Sequence, residues 1–319
     1  MRPTIVLTYQ LESTDLRQLS SALLSGPAIL AFGILLGLAS PKLAALVGPL
    51  LPTTVFVFVF GTFLRADVSS LRQTIWQPWT SICIPALLMT LVPITIYFAL
   101  VFFEMPKEVL LAVLLASLCP PSSGNAALSR MMGYVGEFPL TVILVTMMLA
   151  PVTVPLVAWL LIGIEISPLA MAQTLFIFLF TTAGLAIACR LVLRENVRSS
   201  IQIVDKIVLA ALFLFAIATM DGVQAQIRED PARAGMFIAI AFGTNIIMQA
   251  LGFFLVRGTL ESRLASALTA GNRNVGLIWA TMDSLVSPTV ALFFAATQLP
   301  IFILPLFMRL LKAALDRRV

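Results

Sequence analysis

Leu268-Thr269-Ala270-Gly271-Asn272-Arg273-Asn274-Val275-Gly276 interrupts an otherwise apolar run with an arginine set between two asparagines. A second interruption, Leu118-Cys119-Pro120-Pro121-Ser122-Ser123-Gly124-Asn125-Ala126, stands at the matching place in the first half of the chain. Each contains a Gly-Asn pair, and the pairs lie 147 residues apart in a sequence of 319. Inside a bilayer an unwound backbone is tolerated only where protein buries it or a cavity hydrates it. Paired interruptions in corresponding segments point to the midplane binding site of a secondary transporter.

The composition outside these breaks agrees with a membrane setting. Hydrophobic residues make up 60% of the chain and charged residues 11%, against roughly 45–50% and about 25% in soluble domains. Mean hydropathy is +1.04, which excludes a soluble globular domain. The sequence pI of about 9.5 does not mark a nucleic-acid binder, because the basic residues are not clustered on a basic domain and lie mostly in short connections between apolar runs. Cys83, Cys119 and Cys189 lie within apolar runs and share no metal-ligand spacing. There is no histidine. No metal site is expected, and with neither histidine nor paired carboxylates in the spans an intramembrane enzyme is not expected either. Residues 1–19 are polar, so the first apolar run is expected to span and remain rather than be cleaved.

A spanning helix needs about 20 mostly apolar residues. On that template the sequence predicts an all-α polytopic protein with ten segments: 20–39, 43–64, 79–102, 108–132 (broken), 138–162, 170–193, 204–222, 236–256, 264–283 (broken) and 288–311. Residues 1–19 form an N-terminal segment, 20–162 a first five-helix repeat, 163–169 a linker, 170–311 a second repeat and 312–319 a tail. An odd number of helices per half makes the halves an inverted repeat. One set of connections holds fourteen basic residues: Arg2, Arg17, Arg65, Arg72, Arg190, Arg194, Arg198, Lys206, Arg257, Arg263, Arg309, Lys312, Arg317 and Arg318. The other holds Lys42, Lys107, Arg228 and Arg233. This bias places both termini in the cytoplasm, in a bacterial-type inner or plasma membrane. Pro85, Pro93, Pro151, Pro155, Pro300 and Pro305 fall inside spans and are read as kinks.

In the first break Pro120-Pro121 ends the preceding helix, because proline offers no N–H and clashes with the turn before it. Ser122, Ser123 and Asn125 are placed to cap the half-helix that follows, whose N-terminus attracts anions. In the second break Arg273 would cost several kcal/mol unless paired or hydrated. The nearest acid in sequence, Asp283, would lie roughly 15 Å along a helix. Arg273 therefore bonds to freed carbonyls, receives an anionic ligand, or does both. Arg130 is expected to snorkel from a half-helix end to the interface. Asp221 and Asp283 are expected at solvated helix ends, and Asp67 and Glu137 in loops.

With the breaks in place, the chain resembles the bile acid:sodium symporter superfamily. The resemblance covers the whole chain in topology and a few motifs in sequence. That family's ninth-helix pattern, Glu-x-Gly-x-Gln-Asn-x-Gly, is matched by Gly271, Asn274 and Gly276. Its Cys-Pro-…-Ser-Asn pattern is similar to Cys119-Pro120-…-Gly124-Asn125, one residue shorter, and its Leu-Ala-Pro to Leu149-Ala150-Pro151. The resemblance implies ten helices in two inverted repeats, with the fourth and ninth unwound and crossing near the bilayer centre. The departures fall on the family's sodium ligands. The glutamate and glutamine of the ninth helix read Thr269 and Arg273, and the serine of the fourth-helix pair reads Gly124. The fifth-helix hydroxyl positions read Pro139 and Ile143, with Thr141 and Thr146 nearby. A third-helix glutamine reads Thr80. A hard cation wants oxygen ligands, usually with a carboxylate, and an arginine would repel it.

The expectation is thus a carrier of small organic anions that works by alternating access, its family's sodium coupling disfavoured by these replacements. Ser122, Ser123, Asn125, Asn272, Arg273 and Asn274 form its substrate site, and Thr80, Thr141, Thr146 and Thr269 are further ion or pocket residues. No cofactor is expected, and sodium is not favoured. The partners are a small organic anion and the lipid bilayer, with no nucleic acid. The alternatives are a proton-coupled or uncoupled efflux or exchange carrier on the same fold and a non-transporting membrane sensor that keeps the pocket. Substrate identity, transport direction and oligomeric state are open.

Overall fold

The computed structural model describes residues 26–66, 76–134, 137–163, 167–193, 201–282 and 286–316. Asp67, Asp283, the whole N-terminal segment 1–19, the first span before residue 26, linker residues 164–166, and Arg72, Arg194, Arg198, Arg317 and Arg318 lie outside them.

Everything regular among the described residues is helical. In chain order the elements are α1 (Gly26–Ala39), α2 (Pro41–Arg65), α3 (Trp79–Phe102), α4 (Lys107–Leu118), α5 (Asn125–Met131), α6 (Glu137–Ile162) and α7 (Pro168–Leu193). They continue with α8 (Ile201–Ala218), α9 (Val223–Glu229), α10 (Pro231–Leu255), α11 (Leu260–Gly271), α12 (Val275–Thr281) and α13 (Pro288–Asp316). Among the described residues seven helical stretches are long and apolar enough to cross a membrane, and α1 is a shorter apolar helix. Their exteriors carry exposed Phe32, Phe98, Phe102, Val152, Leu160, Ile177, Val192 and Phe254. A water-facing surface with that apolar content would be a liability; facing lipid it is the expected outer coat.

Local chemistry sets the helix ends. Asp230, ahead of Pro231, accepts the Arg233 N–H at 2.9 Å and starts α10, and Thr259 accepts from the Ser262 N–H at the start of α11. Each cap fills one of the orphan donors of a first turn. The predicted kinks take two forms. Around Pro85 and Pro93 the winding of α3 widens to π-helical turns at Trp79–Cys83 and Leu87–Leu91, as expected where proline removes a ladder donor. Pro151 and Pro155 in α6, and Pro300 and Pro305 in α13, sit inside continuous helices.

Two packing groups organise the chain. α2 and α8 pack on each other, α1 lies against α8, and α7 against α2. In the second group α10 packs on α11 and α13, and α4 on α3 and α13. The α10–α11 contact is close because of Gly252: a Cβ there would sit 2.6 Å from both the Ala270 Cβ and the Ser266 carbonyl oxygen. The two broken segments link these groups, since their first halves α4 and α11 belong to the second while α5 touches α8 and α1 and α12 touches α2; α1 and α13 also pack directly on each other.

Candidate functional site

The two breaks meet. Residues 119–124 separate α4 from α5, and 272–274 separate α11 from α12. Pro121 and Arg273 form an isolated antiparallel bridge. The Ser122 N–H donates to the Asn272 carbonyl and the Asn274 N–H to the Pro120 carbonyl, both at 2.8 Å. In this register the bonds flank the Pro121–Arg273 pair, so the N–H that proline lacks is not needed. Each break supplies the partners that the other lost on unwinding, as buried backbone requires.

Side chains complete the crossing. Asn125 and Asn272, the asparagines of the two Gly-Asn pairs, are 1% and 0% exposed. Asn272 Nδ2 donates to Asn125 Oδ1 at 3.1 Å, and Asn125 Nδ2 donates to the Leu268 carbonyl at 3.1 Å. Asn274 Nδ2 donates to Ser123 Oγ at 2.9 Å. Three further residues, not anticipated from the sequence, extend this network. Asn245 Nδ2 donates to the Gly271 carbonyl and to Asn272 Oδ1, Gln249 Nε2 donates to Asn245 Oδ1 at 2.6 Å, and the Thr62 hydroxyl donates to the Ser123 carbonyl at 3.0 Å. Asn245 and Gln249 sit four apart in an apolar span, so they share a helix face, and that spacing was the available signal. Gly271 is required here, because a Cβ would strike the Gln249 side chain and come within 3.1 Å of Asn245.

The expected capping of α5 is corrected. Its N-cap is Gly124, and no side chain caps it. Ser123 is taken by Asn274, Asn125 is already the first helical residue, and Ser122 Oγ makes only a long contact with the Gly124 N–H, at 3.4 Å. Of the remaining pocket candidates, Thr80, Thr141, Thr146 and Thr269 are all buried. Thr146 bonds to carbonyls of its own helix at Val142 and Ile143, and Thr269 to that of Ala265.

Arg273 is 8% exposed. Its Nη1 donates to the Cys119 carbonyl at 3.3 Å, and its Nη2 is buried without a hydrogen-bond partner. No carboxylate among the described residues pairs with it.

Two basic residues behave otherwise than predicted. Arg130, expected to snorkel, holds Asp205 through two bonds: Nη2 to Oδ1 at 2.9 Å and Nε to Oδ2 at 3.3 Å. Arg65, counted among the connecting-loop charges, is buried, with its Nε 2.7 Å from the same Asp205 Oδ1. The carboxylate on α8 thus joins the end of α2 to the end of α5. Asp205 lies within an apolar helix whose acid the segment reading passed over. Asp221 is exposed, as expected.

Apolar helices long enough to span a bilayer, with two unwound segments crossing in the buried interior, define the architecture of an integral membrane transporter. The chain belongs to the Sodium Bile acid symporter family, whose sequence model matches residues 52–229. It is also similar to the "Uncharacterized sodium-dependent transporter YocS" of Bacillus subtilis (strain 168), with 23% identity over 270 residues that cover 82% of each chain.

Proposed function

We propose that this protein is a secondary carrier of small organic anions, with Arg273 as a fixed positive charge in place of a coupled sodium ion. The observation that carries this reading is the buried guanidinium with no acid beside it and one nitrogen unpartnered. A charge in a low-dielectric interior is costly until it is paired, and an anionic ligand supplies the pairing. Within the predicted site the roles divide. Asn125, Asn272, Asn274 and Ser123 spend their polar groups holding the two breaks together, whereas Arg273 and the Ser122 hydroxyl retain capacity for a ligand.

The same reading takes the chain as ten spans in two inverted five-helix repeats, 20–162 and 170–311, joined by 163–169, with both termini cytoplasmic. The crossing of the breaks near the bilayer centre is its pivot. Alternating access is motion of the group holding α2 and α8 against the group holding α10, α11 and α13. The family name and the relative's name both mention sodium, but that ion's expected ligands are replaced here by Thr269 and Arg273. The test is flux into proteoliposomes of a panel of organic anions, with sodium exchanged for choline. Equal flux in the two salts, lost at least tenfold in Arg273→Gln, is the expected result. Strict sodium dependence in the parent overturns the fixed-charge reading, and binding without flux in any salt makes the protein a sensor.

A further inference from the structure

Behind the crossing lies a small cavity of about 40 Å³, bounded by Arg273, Ser117, Thr244, Thr297, Met248 and Phe293 among others. At roughly 10–15 Å³ per water, the space takes two or three waters or one compact ion. It opens within the α3–α4–α10–α13 group rather than between the two groups. Its lining carries one formal charge, the guanidinium of Arg273, whose Nη2 is itself buried and lacks a partner.

The remaining polar side chains are three hydroxyls and Asn245, whose amide is already spent on Gly271, Asn272 and Gln249. Ser117 Oγ donates to the Leu114 carbonyl, Thr244 Oγ1 to that of Ile240 and Thr297 Oγ1 to that of Phe294. Each of these bonds returns to a carbonyl three or four residues back in the same helix, an acceptor able to serve a ladder N–H as well. The hydroxyls can therefore turn toward a ligand without leaving a carbonyl bare. A hydroxyl set with a guanidinium and no carboxylate binds negative charge. The single uncompensated charge sets the valence: one negative charge neutralises the cavity, whereas a second would be buried unpaired.

We propose that this cavity is an anion pocket that takes one compact monoanionic group on Arg273. Two sources share that chemistry: a free halide-sized ion, and the carboxylate end of a transported substrate. The carboxylate source rests on the carrier reading, whereas the halide source does not.

The experiment is a thermal-unfolding titration of the purified full chain in detergent, at constant ionic strength, with potassium chloride, bromide or formate replacing potassium sulfate. Ligand that binds only the folded state raises the midpoint as its concentration passes its dissociation constant. A saturable rise with at least one monoanion is expected in the parent and in Arg228→Gln, an exposed control, with the half-saturating concentration at least tenfold higher in Arg273→Gln. The same rise in Arg273→Gln, or no saturable rise with any monoanion, overturns the pocket. If Arg273→Gln does not fold, anomalous diffraction from parent crystals in bromide decides: a peak against Arg273 supports the pocket, and none overturns it. The two sources separate in proteoliposomes, where chloride competes with the organic anion if the carboxylate uses this pocket and does not compete if the halide is a separate passenger. An anion-dependent midpoint without flux keeps the pocket and removes the carrier; flux without a monoanion effect does the reverse.

Discussion

Arg65 and Arg273 are both buried, yet only Arg65 meets a carboxylate among the described residues. Arg65 lies at the end of α2 with its Nε 2.7 Å from Asp205, and Arg130 closes on that carboxylate from the other side; Arg65 Nη1 and Nη2 lack hydrogen-bond partners, as Arg273 Nη2 does, so the carboxylate is what separates the two. Arg273 has a carbonyl oxygen and the wall of a cavity. The first is a fixed structural pair supplied within the fold. The second leaves a charge available to something the fold does not contain. A buried ion pair contributes little net stability, but breaking it by removing one partner is expensive. A buried arginine without a carboxylate has no such partner to lose.

The contrast can be broken most severely at Asp205. Asp205→Asn leaves two guanidiniums facing a neutral amide, one of them with a side chain only 2% exposed, and is expected to cost about 3–5 kcal/mol. Chemical denaturation in detergent micelles measures the loss, and a double change to Arg65→Met with Asp205→Leu should recover most of it. The crossing comes next. Asn272→Ala removes the donor to Asn125 and the acceptor for Asn245, stranding buried polar atoms at about 1–3 kcal/mol each; the same denaturation reads it. Gly271→Ala forces a methyl against Gln249 and Asn245 and is expected to cost about 1–3 kcal/mol by overpacking, visible as a lower thermal midpoint and reduced flux. The smallest effect on stability is expected from Arg273→Gln in anion-free buffer, within about 1 kcal/mol in either direction. That change gives up one hydrogen bond to the Cys119 carbonyl and also removes a buried charge. A loss at Arg273 as large as that at Asp205 would mean that Arg273 is held as firmly as Arg65, and the comparison would fail.

The contact between the breaks explains why their residues divide into two kinds. Asn125, Asn272 and Asn274 were recognisable as site residues because polar side chains in an apolar span have to be spent on something. Their spacing says nothing of whether they are spent on a ligand or on one another. Only the crossing shows that the two Gly-Asn asparagines bond to each other across 147 residues. Asn245 and Gln249 carried a readable signal, polar residues four apart on one helix face. Asp205 carried a weaker one, being an acid near the start of a predicted span, where solvation is the ordinary outcome.

The sequence by itself determined the membrane setting, the long apolar helices, the position of both interruptions and the presence of an unmatched arginine in one of them. These follow from local properties: apolar length, proline's missing N–H, and the cost of burying charge. The tertiary structure alone decided that the breaks bridge at Pro121 and Arg273, that Asp205 gathers Arg65 and Arg130, and that Arg273 keeps a free nitrogen beside a small cavity. Each depends on which helices lie side by side. A buried polar group can be satisfied by any neighbour that brings the complementary atom, and the chain order does not say which neighbour that will be.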